Sequence, residues 1–150
     1  MDARRTVLTG LDPGSGVVAG VAEMALPPPL DLAASLEAYR RWGDDRLDRW
    51  DGERLLRALP VGGGRWAAVR AVPAGDLGMP RLIVQVAPAG LGAAALDALR
   101  STFVAAPPAF EDLAARDPVI AALDARHAGL RPVLQPDLFT ALVRSISAQQ

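Results

Sequence analysis

Residues 62–87, GGGRWAAVRAVPAGDLGMPRLIVQVA, decide the fold. Within them Arg81–Ala87 sets Leu82, Val84 and Val86 in alternation with Ile83, Gln85 and Ala87. That is the period of a strand with one face fully buried and the other partly so. Gly62-Gly63-Gly64 is a turn into a preceding strand over Arg65–Val72, and a longer loop with Gly75, Gly78 and Pro80 joins the two. Upstream, Asp51-Gly52 is a hairpin signal between Leu47–Trp50 and Glu53–Leu59. Connections this short make the strands antiparallel.

Helical patterns flank this sheet. Val17–Leu26 reads as a first strand that Pro27-Pro28-Pro29 ends. Asp31 then caps a helix with Leu32, Leu36 and Tyr39 on one face, stopping near Gly43. After the last strand, Leu91–Val104 forms a second helix, with Leu96, Leu99 and Phe103 on the side that packs across the sheet. Ala105-Ala106-Pro107-Pro108 is a linker, and everything beyond it is helical. Phe110–Arg116 is short, and Asp117-Pro118 starts Val119–Ala128 with Ile120 and Leu123 inward. Gly129 and Pro132 stop it. His127, the single histidine, suits the negative end of that helix dipole without any chemistry.

The last segment, Leu134–Gln150, begins at the cap Asp137 and carries Phe139, Leu142, Val143 and Ile146 as one apolar stripe. No Gly or Pro closes it, so the expectation is the front part of a longer protein or a truncated product of one. The fold class is therefore α+β: a small antiparallel sheet with packed helices, followed by the start of an all-α helical domain. Residues 1–16 read as a mobile tail, 17–104 as the α+β domain, and 105–150 as the first helices of the second domain.

Composition narrows the function. The 16 basic residues are all Arg, against 17 acidic ones, for a net charge of −1. A domain gripping DNA over a broad face needs the opposite sign. The charged stretch Arg40–Arg57 is nearly balanced, and reads as a solvated, salt-bridged face. Without Cys there are no disulfides or thiolate metal sites, and without Lys no Schiff base. Gly14-Ser15-Gly16 has the wrong spacing for a dinucleotide loop. No cofactor and no metal site is expected. No apolar run is long enough to span a membrane and no signal peptide is evident, so a monomeric cytoplasmic protein is the default.

The run Phe139–Gln150, FTALVRSISAQQ, resembles the first catalytic helix of the helix-hairpin-helix DNA glycosylases, the 3-methyladenine DNA glycosylase II group above all. The order of the chain from about Met24 onward resembles that group too. Pro28-Pro29-Leu30-Asp31 is similar to its Pro-Pro-Tyr-Asp entry, and Leu56–Leu59 with the strands from Trp66 and Leu82 is similar to its sheet. Asp117-Pro118 through Pro132 resembles the segment that introduces the catalytic helices.

The resemblance implies hydrolysis of the N-glycosidic bond to an alkylated purine in damaged double-stranded DNA, bound through the complete protein. The base must be flipped out of the duplex first. It places the family's hairpin and catalytic Asp beyond Gln150, and none of Asp112, Asp117, Asp124 or Asp137 matches that acid. Catalytic residues are thus none in this chain, which is expected to be inactive alone. Gln149 and Gln150 fall where a side chain fills the gap left by the flipped base, and Tyr39 falls next to the family's base-pocket aromatic. For Tyr39 a buried core position is an equal reading. Two other functions stay open: a non-catalytic α+β interaction module or degenerate glycosylase remnant, and the 8-oxoguanine branch of the same superfamily.

Overall fold

The computed structural model describes residues 20–41, 48–135 and 137–147. The expected tail over 1–16, the start of the first strand, the helix end near Gly43 and the pair Gln149 and Gln150 lie outside the described residues. Five strands form one antiparallel sheet: β1 (Gly20–Ala25), β2 (Asp48–Trp50), β3 (Leu55–Pro60), β4 (Trp66–Ala74) and β5 (Arg81–Ala87). Their order across the sheet is β1-β5-β4-β3-β2. The α+β reading is thereby shown.

Because β1 and β2 occupy opposite edges, the segment between them must cross the sheet. It does so through α1 (Leu32–Arg41), whose first turn is capped by the Asp31 carboxylate accepting from the Ala34 amide at 2.9 Å. Leu32, Leu36 and Tyr39 are all buried. The second helix, α2 (Gly92–Arg100), packs on β1, β3 and β5. Both helices share one core with the inward residues of the strands, among them Leu55, Leu59, Val69, Leu82, Val84 and Val86. The alternation in β5 thus places Val84 and Val86 as expected, with Ile83 and Gln85 half-buried on the other side.

Three expectations change. The second helix ends at Arg100, not Val104, because the chain takes a different set of hydrogen bonds there. The Thr102 hydroxyl donates back to the Leu99 carbonyl at 2.7 Å, and the Thr102 carbonyl accepts from the Leu134 amide at 2.8 Å. Phe103 then forms an isolated antiparallel bridge with Val133. The inward row of α2 is Ala95 and Leu99, with Leu96 only half-buried. Finally, Leu123 is exposed, not inward, and Ile120 is half-buried. Helices α3 (Pro108–Arg116) and α4 (Pro118–Arg126) pack mainly on each other, and neither buries a residue completely.

What returns the chain to the sheet is the strap that follows α4. His127 is its C-cap, and Gly129 turns with φ +72°. The Gly129 carbonyl accepts from the Asp31 amide at 2.8 Å, at the start of α1. Two residues on, the Arg131 amide donates to the buried Ser35 hydroxyl at 3.0 Å. Val133 joins the core. The linker at 105–108 therefore separates elements, while residues 129–134 belong by packing to the α+β unit.

Gly129 is the position that permits this contact. A Cβ there would lie 2.7 Å from the Asp31 amide nitrogen and 3.1 Å from the Leu30 carbonyl carbon, and would collide with the Leu77 side chain. Left-handed backbone alone costs an L-residue about 1–2 kcal/mol. Gly129→Ala is expected to lower stability in urea denaturation by more than about 1 kcal/mol. A loss below about 0.5 kcal/mol would show that the strap does not dock as described.

Candidate functional site

The densest group of polar side chains inside the fold surrounds Tyr39. Register places it there: β2 and β3 pair with Asp48 opposite Arg57 and Trp50 opposite Leu55. In β3 the inward positions are Leu55, Arg57 and Leu59, so an arginine stands in a row of core leucines. Its Nε donates to the Asp48 carboxylate at 2.8 Å, with the two side chains 1% and 6% exposed. The guanidinium lies over the Tyr39 ring, 4.9 Å from its centroid. Its Nη2 donates to the side-chain amide oxygen of Gln135 at 3.4 Å, a long contact. On the outer side, the Trp50 indole donates to Glu37 at 3.0 Å, and Arg40 pairs with the same carboxylate at 2.6 Å.

This corrects one expectation. The charges of Arg40–Arg57 are not all a solvated face, since the pair Asp48–Arg57 is enclosed. Enclosure removes solvent screening but imposes a desolvation penalty on both ions, so the carboxylate is what makes the buried guanidinium tolerable. Face parity carried the signal: Leu55-x-Arg57-x-Leu59 puts Arg57 inside wherever the leucines are. The surface members behave as expected, with Arg54 and Asp51 paired at 3.0 Å on the hairpin loop.

Tyr39 itself is 1% exposed, and its hydroxyl is buried as well. In this chain it packs as a core aromatic. A cleft of about 360 Å³ lies instead between the start of α1, the β4–β5 loop and Ala128. Its two carboxylates already serve local turns: Asp31 caps α1, and Asp76 accepts from the Gly78 and Met79 amides at 2.9 Å. Asp117 likewise caps α4, accepting from the Val119 and Ile120 amides at 2.8 and 3.2 Å. Among the described residues no group of three His, Asp or Glu side chains is placed to hold a metal ion. No helix there is long and apolar enough to cross a membrane.

The remaining feature is α5 (Leu138–Ser147). Leu138, Phe139, Leu142, Val143 and Ile146 are 45–75% exposed, so the stripe read from the sequence is present and uncovered by any described element. A contiguous apolar surface of this kind marks a contact site. No family model matches the chain, and neither does any curated protein or solved structure.

Two outcomes test the charged groups. Asp48→Leu should lower stability by about 3–5 kcal/mol by leaving Arg57 buried without a counterion. Adding Arg57→Met should recover part of that loss, and additive losses in a double-mutant cycle would refute the coupling. The hairpin loop has an acid-dependent contact. Burial raises the pKa of Asp51, but the Glu53 and Arg54 amides and the Arg54 guanidinium outweigh it and hold the pKa below the ordinary 3.8. Its contribution is complete above pH 3.8 and is lost as pH falls through the lower, folded value. Asp51→Asn should therefore destabilise the protein at neutral pH and flatten its stability-versus-pH curve below that point, followed by urea titration.

Proposed function

We propose that this chain is the N-terminal part of a DNA N-glycosylase of the helix-hairpin-helix kind, one that excises alkylated purines. The observation that carries the reading is the state of α5. It is the segment that resembles the first catalytic helix, it follows an α+β unit in the order the resemblance requires, and its whole apolar stripe is exposed. A helix with such a stripe suits the wall of a larger helical core.

In this reading the α+β unit and strap hold α5, and further helices packed on the stripe supply the phosphate-binding hairpin and the catalytic Asp. An alkylated purine already carries positive charge and leaves readily, so one carboxylate can stabilise the oxocarbenium-like sugar or activate water. Without Lys, this part of the protein forms no Schiff base. Gln149 and Gln150 would offer amides to the base left unpaired by flipping. Damaged duplex DNA is the partner. A non-catalytic interaction module is the competing reading, favoured by the matched charges of the surface, where Arg40, Arg54, Arg81 and Arg100 each face a carboxylate.

The test compares two proteins on methylated duplex DNA. The 150-residue chain should release no 3-methyladenine, while the product of the gene read past codon 150 should release it. Release by the short chain would place catalysis within it and refute this arrangement. No release by the longer product, or a stop at that codon, would turn the assignment to the interaction module.

A further inference from the structure

The two packed helices cover one face of the sheet, and no described helix packs on the other. Across that second face, register aligns Val21, Gln85, Arg70, Leu56 and Arg49 in a single row over β1, β5, β4, β3 and β2. Val21, Leu56 and Arg49 are exposed, as is Trp66 further along β4. Arg70, in the middle, is only 9% exposed, yet among the described residues it forms no ion pair and its Nη1 is buried without a hydrogen-bond partner. Beside it, Gln85 has its Oε1 equally buried and unpartnered. One flanking row is made of alanines, Ala58, Ala68 and Ala87, whose short side chains leave the surface low on that side of the guanidinium.

A buried cation without a counterion is unfavourable, and a well-packed apolar residue of the same length would hold this position more cheaply. An arginine retained there is explained by a group that arrives from outside. We propose that the outer face of the sheet is a docking surface for an acidic peptide segment of a partner protein. One carboxylate, flanked by aliphatic residues, pairs with Arg70, and the aliphatics cover Val21, Leu56 and Trp66. Charge complementarity selects this occupant. A second copy of the chain would bring Arg70 towards Arg70. A nucleic-acid backbone needs an uninterrupted row of free cations, whereas here Leu56 separates Arg70 from Arg49, and Glu23 on the same face is paired with Arg81 at 2.9 Å. The inference does not depend on the glycosylase reading.

Two measurements on the 150-residue chain test it. The first titrates short capped Leu/Val peptides with a central Glu, Gln or Lys, following amide resonances of the sheet by NMR. The Glu peptide should shift Val21, Leu56 and Arg70 and bind at least about tenfold more tightly than the other two. Arg70→Met should abolish that preference, and Trp66→Ser, at an exposed position, should weaken binding of the Glu peptide. Absent binding, equal binding of the three peptides, or a preference that survives Arg70→Met would overturn the proposal. So would dimerisation through this face, or competition by duplex DNA that depends on Arg70. The second measurement is thermal unfolding of Arg70→Met, whose Tm should be unchanged or raised by a few degrees, on the order of 3 °C. A clear fall in Tm would make Arg70 a structural residue and overturn the proposal as well.

Discussion

Arg57 is where separate parts of the chain are joined. Its guanidinium touches β2 through Asp48, α1 through the Tyr39 ring, and the strap through Gln135. Each contact has a different physical character: a charge-assisted hydrogen bond, a cation over an aromatic face, and a long neutral contact. Only the first compensates the burial of the charge to any large extent, so β2 is held to the sheet by more than three residues of backbone pairing. A three-residue edge strand would otherwise be marginal. The edge of the sheet nearest α1 thus depends on one ion pair, and α1 depends in turn on the surface that this edge gives it.

Among the described residues helices cover the sheet on one side, and much of the architecture follows from that asymmetry. The chain reaches its opposite edges in succession, β1 then β2, with α1 laid over the inner face between them. The strap then closes the end of the same layer. Its grip comes from backbone groups: the Asp31 amide on the Gly129 carbonyl, the Arg131 amide on Ser35, and the Leu134 amide on the Thr102 carbonyl. Such bonds fix position with little apolar burial, which is how the α3–α4 pair can remain attached to the sheet unit while burying no residue completely.

How much of this the sequence disclosed depends on the kind of signal each part uses. Alternation in Arg81–Ala87 and the Gly62–Gly64 turn announced the sheet, because strand periodicity and turn chemistry are local. The cap residues Asp31 and Asp117 were equally plain. Arg57 was missed because balanced charge was counted along the chain and not by face. Its partner became visible only with the true loop, Asp51–Arg54, which sets Trp50 opposite Leu55 and Asp48 opposite Arg57. The strap left no pattern, since it works through main-chain groups far apart in sequence. Leu123 was misplaced for the complementary reason: hydrophobic spacing shows that a helix has an apolar face, not that anything lies against it. The same limit bears on the site. Tyr39 reads identically as a pocket aromatic or a core one, and burial under Arg57 is a fact of packing.

The two uncovered surfaces differ in what they ask of a partner. The stripe on α5 is purely apolar, so any complementary helix of sufficient area satisfies it, and specificity has to come from elsewhere. The outer face of the sheet mixes exposed apolar side chains with charged ones, and Arg70 stands at its centre without an ion pair among the described residues. A partner without a carboxylate at the right place would leave that charge buried and unpaired, which is the same penalty that Asp48 relieves for Arg57 on the inner face. Arg57 and Arg70 thus stand on opposite faces of the sheet. The inner one is matched within the chain and serves stability. The outer one is unmatched among the described residues, which makes it a criterion for selecting what binds.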